Sequence, residues 1–478
     1  MPSCGPYPAP TPPARSLALP IAPDVKAAAA RKRALTIGLV LTVSMAAFEA
    51  LAVATILPET VREIGGLEWY GWAFTGFMLS NLVGIPLAGE AADRRGPVMP
   101  FVAGVASFAA GLLVAGVASS MQVLVAGRVL QGVGVAALSS VAYVAVARAY
   151  PADEQPRMMA MLASAWVLPG LFGPAIATGV AVQFGWRFVF LGLAPATLLA
   201  GALALVGLRG LGLPAEAPHS SASTRVRDAS LLALGVTLTL FGVRREGVAT
   251  ALLLLLPGLA LASFALLRLL PPGTWRARAG LPAAIAVLAL VNFAFFAVEA
   301  FLPLALMELR GGDTGLVAAA LTAGTLAWTS GSWLQARATG RMPRRRLLRA
   351  GLALLLLGIA GASAVLSPAV TPWSAVGAWA IAGLGIGIAY PVTTLAVLDA
   401  APAGREGEVS ATMQIANALA IAIGTGLGGD LLARMARTGR TPALGIGAVD
   451  VVSLVACVLA LVGASGVAER KKTQPEAS

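Results

Sequence analysis

Apolar stretches long enough to cross a lipid bilayer recur along most of this chain, and they leave little room for another architecture. A helix of about 20 apolar residues spans the hydrocarbon core. The stretches lie near 34–58, 69–91, 98–119, 121–147, 157–182, 187–208, 229–243, 247–270, 280–303, 314–336, 347–366, 374–399, 409–432 and 442–466. A hydrophobic fraction of 58% and a mean hydropathy of +0.83 agree with them. The chain is therefore predicted to be an all-α, polytopic membrane protein with fourteen transmembrane helices.

Composition changes at two places, a proline-rich start and a polar linker. Residues 1–30 hold eight prolines and no apolar core, so 1–33 is predicted to be a disordered cytoplasmic tail. The cytoplasmic linker at 209–228 ends a first six-helix half at 34–208. After the linker we expect an extra two-helix insert at 229–279, a second six-helix half at 280–466 and a cytoplasmic tail at 467–478.

The weakest of these spans is 229–243, because it is short. Its residues reach only about 22 Å at 1.5 Å each before Arg244, Arg245 and Glu246 interrupt it. It could form one arm of a shallow hairpin instead of a full span.

The distribution of basic residues predicts the orientation. With both termini in the cytoplasm, most of the 34 lysines and arginines fall on the cytoplasmic side, as the positive-inside rule requires. Removing one span would place the arginine-rich run 337–349 outside. An even number of spans is therefore expected. The predicted location is a bacterial inner membrane.

Arg128 is a full positive charge inside the apolar stretch 121–147. A charge at bilayer depth costs from roughly 2.5 to more than 10 kcal/mol, so such residues usually face the protein interior and serve a function. Gln131 follows one helical turn later, which places both polar groups on one face. This pattern favours a polar cavity, although Arg128 could instead bind the backbone carbonyls of a broken helix.

Both halves also carry acids inside apolar stretches. Glu49 lies in the first span, while Glu299, with Asn292 two turns earlier, lies in the ninth. A buried carboxylate holds a proton tightly, and a nearby arginine favours its release, so these groups could exchange protons for cargo. Asp450 is a further candidate, whereas Asp430 lies near a predicted span end where a solvated or capping role is expected.

Two glycine-containing motifs predict tight helix packing. Gly89, Asp93, Arg94 and Gly96 form a GxxxDRxG pattern at a predicted cytoplasmic helix end, where the charges could latch neighbouring helices and so set the balance between conformations. In the fifth span, prolines remove backbone hydrogen bonds and glycines open a groove, which suits a gate helix. The residues of this gate motif are Pro169, Gly170, Gly173 and Pro174.

The GxxxDRxG motif, the Arg128 and Gln131 pattern and the gate motif follow one another in this order along the chain. Together they resemble the signature motifs of the major facilitator superfamily. Glu49 lies nine residues before Pro58, at a position where the superfamily's fourteen-span drug:proton antiporter family carries an acidic residue, usually Asp. The two-helix insert also resembles that family. The resemblance implies a major facilitator fold of two six-helix halves plus an insert. It also implies proton-driven export of small amphipathic, cationic compounds such as drugs by alternating access.

No metal site or catalytic centre is indicated. His219 is the sole histidine and lies in the linker, while Cys4 and Cys457 are far apart in sequence, so no cofactor is expected and carboxylates must carry protons. The expected partners are a small-molecule cargo, protons and the bilayer, with a monomer as the working unit. The net charge of +12 is spread over the loops, so nucleic acid is not expected to bind.

Two alternatives to drug export remain open at this point. One is a symporter, or an exporter dedicated to a single endogenous metabolite or lipid. The other is a membrane-embedded, lipid-modifying enzyme, which would need a catalytic cluster that the sequence does not offer.

Overall fold

The computed structural model describes residues 25–151, 153–209, 211, 222–402 and 406–468, and these fold into α-helices. The helices are α1 (Val25–Ile64), α2 (Tyr70–Arg95), α3 (Val98–Gly116), α4 (Met121–Ala149), α5 (Gln155–Ser164), α6 (Val167–Phe184), α7 (Arg187–Leu208), α8 (Ala222–Val243), α9 (Val248–Leu269), α10 (Leu281–Leu304), α11 (Thr314–Ala338), α12 (Arg344–Ala364), α13 (Ser374–Asp399), α14 (Glu406–Arg437) and α15 (Pro442–Gly463). The predicted all-α membrane architecture is confirmed.

Thirteen helices of the described chain are long and apolar enough to cross a membrane. Helix α11 is also long enough to cross a membrane, but it is less apolar than these thirteen because its 25 residues include several hydroxyl side chains. Three of these hydroxyls donate to carbonyl oxygens four residues earlier in the same helix, from Thr325, Thr329 and Ser330. These bonds lower the cost of placing the hydroxyl groups in an apolar environment.

Several predicted boundaries are wrong. α1 begins at Val25, so residues 25–33, predicted to belong to a disordered tail, are helical; residues 1–24 lie outside the described residues. Residues 222–228, predicted as linker, form the first turns of α8, which gives the doubtful span a helix of 22 residues. Residues 212–221 of the linker and 469–478 of the final tail lie outside the described chain.

The fifth predicted span is divided between α5 and α6, with the break at Ala165 and Trp166. Pro169 explains the break, because it has no N–H to donate to the carbonyl of Ala165 and its ring clashes with that carbonyl. Within α6, Pro174 removes one further hydrogen bond.

The helices form two groups joined by the insert. The helix pairs α2 with α4, α3 with α4 and α1 with α7 pack within the first half, and α11 with α13, α12 with α13 and α10 with α15 pack within the second. The insert helices α8 and α9 pack on each other, and α8 also contacts α2 and α14. We use "base" for the end of the bundle where α1 begins and α2 ends, and "top" for the opposite end.

The contacts that join the two halves cluster towards the top. The Tyr70 hydroxyl donates to the Ala300 carbonyl at 2.9 Å, and the Arg62 Nε donates to the Glu308 carboxylate at 2.5 Å. The backbones of α2 and α14 touch beside them, since a Cβ on Gly71 would lie 2.6 Å from a Cα atom of α14. The top of the bundle is therefore closed.

Candidate functional site

Glu49 of α1 and Arg128 of α4 form a buried ion pair inside the first half. The Arg128 guanidinium donates a short hydrogen bond to Glu49 Oε1, and their side chains are only 1% and 3% exposed. Neither group is exposed to lipid or bulk water, in agreement with the interior position expected of charges at bilayer depth. The structure therefore brings together two of the predicted site residues.

Arg128 also reaches α2. Its Nε donates to the Ala73 carbonyl at 2.9 Å, and its guanidinium carbon lies 4.2 Å from the centroid of the Phe77 ring. Its Nη1 donates to Gln131 Oε1 at 2.6 Å, one turn further along α4. A single guanidinium thus ties α4 to both α1 and α2 through charge-assisted hydrogen bonds and a cation–π contact.

The pair keeps spare polar capacity. Glu49 Oε2 and Gln131 Nε2 are buried without a hydrogen-bond partner among the described residues. A buried, unpaired carboxylate oxygen is costly, and adding a proton removes much of that cost. Glu49 Oε2 is therefore the atom of this cluster that is best placed to accept a proton.

In the second half, α10 carries Asn292 and Glu299 along one side. Asn292 Nδ2 donates to the Leu288 carbonyl at 2.8 Å and to Asn417 Oδ1 of α14 at 3.0 Å. Glu299 lies deep among the helices but retains partly exposed surface, and the described chain places no lysine or arginine within ion-pairing distance of it. Deep position with residual exposure is typical of a group that lines an internal cavity.

Asp450 occupies a different place. It is buried in α15, where the hydroxyl of Ser363 of α12 faces its carboxylate. Both helices belong to the second half and pack on each other. The structure therefore does not bring Asp450 together with the Glu49 and Arg128 pair.

The GxxxDRxG motif lies at the base, where α2 ends. Gly96 follows the last residue of α2 and has a φ of +79°, a positive value that glycine adopts without strain. Asp93 lies 3.9 Å from Arg148 at the end of α4, while Arg94 pairs with Glu90 of its own helix at 2.7 Å. A Cβ on Gly89 would meet open space. Of these two ion pairs only that of Asp93 and Arg148 joins two helices, both in the first half, so the predicted role in conformational balance stays a prediction.

The gate motif lies where α6 meets the second half. A Cβ on Gly170 would lie 2.2 Å from a methyl group of Thr325 in α11, so glycine permits this close approach. A Cβ on Gly173 would make only ordinary contacts of 3.7 Å with α1. Pro169 and Pro174 are both buried in α6.

The comparisons with known proteins identify the family. Residues 37–425 match the model of the Major Facilitator Superfamily. The chain belongs to this superfamily. It is 29% identical over 398 residues to a probable multidrug-efflux transporter of Mycobacterium tuberculosis. This match covers 78% of this chain and 82% of the relative. It is also 31% identical over 210 residues to a multidrug resistance protein B homolog of that species, and this match covers 44% of this chain and 38% of that relative.

Solved structures agree on the fold. A bacterial homolog of the human lysosomal transporter Spinster, crystallised in an inward-facing and unoccupied conformation, has a TM-score of 0.63 at 17% identity and covers 91% of this chain and 98% of that chain. An auto-inhibited peptide transporter of the POT family has a TM-score of 0.67 at 15% identity, covering 92% and 98%. The major facilitator fold predicted from the motifs is confirmed, and the protein is a multi-pass membrane transporter of small molecules.

A second buried charge pair, which was not predicted from the sequence, lies at the top of this transporter. Asp430 is 3% exposed and lies two turns before the end of α14, so the predicted solvated or capping role is wrong. Its partner is Arg244, at the end of α8, with Nε 3.6 Å from Oδ1. Burial lowers the pKa of Arg244, and the charge of Asp430 acts in the opposite direction. The signal that could have revealed the pair was the run of charges that interrupts the insert.

Proposed function

We propose that this transporter is a proton-driven antiporter that exports small, amphipathic and mainly cationic compounds, such as drugs. The names of its relatives in Mycobacterium tuberculosis support drugs as the class of compounds exported. The buried Glu49 and Arg128 pair supports proton coupling, because a mere scaffold would not need two desolvated charges.

One observation carries the coupling step: the ion pair is linked to the contact that closes the top. Arg128 holds the Ala73 carbonyl of α2, and two residues later the Thr75 hydroxyl hydrogen-bonds to the Thr425 hydroxyl of α14 at 2.9 Å. A proton on Glu49 removes the negative charge that holds Arg128. The guanidinium then shifts, and α2 moves relative to α14.

The proposed cycle is alternating access about a site between the two halves, near the middle of the membrane. The closed top corresponds to a state in which the cargo site faces the base. We assign the base to the cytoplasm of a bacterial cell with an even number of spans, fourteen in this proposal, and with both termini cytoplasmic. The arginine-rich start of α12 at residues 344–349 then lies inside, in agreement with the positive-inside rule.

Transport by purified protein in lipid vesicles tests this function. With a pH gradient imposed and ethidium as a fluorescent cationic cargo, the parent protein should move dye only while the gradient persists. Glu49→Gln and Arg128→Ala should abolish this movement. Glu63→Gln is the matched control, because Glu63 lies in the same helix but pairs with Arg187 at the top of the first half.

The results separate the parts of the proposal. Gradient-independent dye movement by the parent would exclude antiport. Normal coupling in folded Glu49→Gln protein would exclude Glu49 as the proton carrier and transfer that role to Glu299 or Asp450. Loss of transport in the Glu63→Gln control would show that the loss in Glu49→Gln is not specific.

A further inference from the structure

Three aromatic side chains from three helices of the second half stand next to one another: Phe296 of α10, Trp328 of α11 and Tyr390 of α13. The Trp328 ring centroid lies 6.0 Å from that of Phe296, in a tilted arrangement, and 6.0 Å from that of Tyr390, edge to face. All three side chains are partly exposed. We name this group the aromatic wall.

A buried layer fixes the wall from behind. Phe295 is 1% exposed, meets Trp328 edge to face at 5.3 Å and stacks on the fully buried Trp379 at 4.7 Å. Such aromatic contacts orient rings and add about 0.5–1.5 kcal/mol each beyond their burial. The exposed faces of the wall are therefore held in place before any ligand arrives.

Polar groups flank the wall on both sides. Asn292, Phe296 and Glu299 follow one another at four- and three-residue spacings, so they lie on one face of α10. At one edge, Asn417 Nδ2 donates to the Tyr390 hydroxyl at 3.2 Å. At the other edge, Glu299 supplies a carboxylate without a basic partner in the described chain.

The wall faces the first half of the transporter. Tyr390 lies near Tyr143 of α4 in the first half, and the Tyr143 side chain is 48% exposed. Thr325, one turn before Trp328, touches Gly170 of α6. The aromatic faces and Glu299 thus lie towards the space between the halves, and transporters built from repeats bind their substrates at that interface.

We propose that the aromatic wall and Glu299 form the binding surface for the aromatic part of the cargo, and that they select planar aromatic cations over aliphatic cations. This inference rests on the proposed function. The exposed ring faces attract a delocalised positive charge and stack against a planar ring system, and Glu299 compensates the charge. An aliphatic quaternary ammonium ion gains the charge compensation but not the stacking.

Equilibrium binding without a proton gradient tests the surface independently of transport. Detergent-purified protein is titrated with ethidium, a planar aromatic cation, and with tetrabutylammonium, an aliphatic cation. Trp328→Leu should raise the Kd for ethidium about tenfold, the loss expected when a stacking and cation–π partner is removed. It should change the Kd for tetrabutylammonium less than twofold.

Trp333→Leu is the matched control, because Trp333 lies in the same helix but is 63% exposed and carries Arg337 over its ring. It should bind both cations as the parent does. Phe296→Leu should repeat the effect of Trp328→Leu, and Tyr390→Phe, which keeps the ring, should retain ethidium binding. These two variants also test the wall if Trp328→Leu does not fold.

Unchanged ethidium affinity in folded Trp328→Leu and Phe296→Leu proteins would overturn the proposal, as would an equal loss in Trp333→Leu. A parent protein that does not bind ethidium would overturn it as well. A parent that binds ethidium with these variant effects, yet does not move it along a gradient, would refute the antiport function and leave the binding surface intact.

Discussion

The two members of the Glu49 and Arg128 pair should respond differently to removal of the other. Arginine cannot lose its proton inside a protein, whereas a carboxyl group can be neutralised by binding one. Glu49→Gln therefore leaves a permanent charge with 3% exposure, and the expected loss of stability is about 3–5 kcal/mol at any pH. Arg128→Met leaves a carboxyl group that can take up a proton instead.

The cost in Arg128→Met follows from this protonation. A glutamate in water is half protonated at about pH 4.3, so holding Glu49 neutral at pH 7 costs about 3.7 kcal/mol, at about 1.4 kcal/mol per pH unit. At pH 5.5 the cost falls to about 1.6 kcal/mol. The folded variant holds a proton that the unfolded chain has lost, so its stability relative to the parent rises as the pH falls.

Thermal unfolding measures these differences through tryptophan emission, since the chain has nine tryptophans and Trp186 and Trp379 are fully buried. Each variant is compared with the parent at pH 5.5 and pH 7. Arg128→Met should regain about 2 kcal/mol on acidification, whereas Glu49→Gln should regain nothing. The double variant, which has no charge at either position, should be more stable than Glu49→Gln at both pH values.

Two results would refute this reasoning. If Arg128→Met is as unstable at pH 5.5 as at pH 7, Glu49 does not take up a proton when its partner is lost. If Glu49→Gln is as stable as the double variant, Arg128 is not stranded in an apolar environment, and the guanidinium must reach water.

The other two predictions concern the top of the bundle. Gly71→Ala should lower the thermal unfolding midpoint, because a Cβ there would lie 2.6 Å from the Cα of Gly429 and such overpacking costs about 1–3 kcal/mol. Gly192→Ala is the control and should leave the midpoint unchanged, because open space surrounds the added Cβ. For the second charge pair, Arg244→Gln should destabilise more than Asp430→Asn at pH 7. Arg244 follows the last residue of α8 and can turn to water, whereas Asp430 is 3% exposed. The Arg244→Gln defect should shrink at pH 5.5, and an unchanged defect there would contradict this assignment.

Much of the helix pattern was predictable because lipid imposes it. The predicted limits of α7 and α13, 187–208 and 374–399, coincide with the observed helices. The start of α7 is fixed by an arginine that follows a short turn, and α13 ends at Asp399, where charge meets the bilayer surface. Hydropathy gave no sign of the break before α6, because Ala165 and Trp166 are apolar and the break results from proline sterics one turn later.

The candidate site was predictable only where polarity was out of place. Arg128 and Glu49 could be found because a charge in an apolar stretch is costly and needs a reason. Trp328 and Tyr390 gave no such signal, since aromatic residues are ordinary members of membrane helices. Only the packing of α10, α11 and α13 shows that their exposed faces lie side by side.

The charges of the site suggest why proton and cargo should exclude each other. When Glu49 is ionised it balances Arg128, and a cation can enter the space beside Glu299 without net repulsion. In the proposed cycle, protonation of Glu49 leaves the charge of Arg128 uncompensated, and a cation placed about 10 Å from that charge would be repelled by about 1.7 kcal/mol at an effective dielectric constant of about 20. Such a repulsion would weaken cation binding roughly fifteen- to twentyfold, so in the proposed antiport a proton on Glu49 would promote release of the cargo without any direct contact between the two.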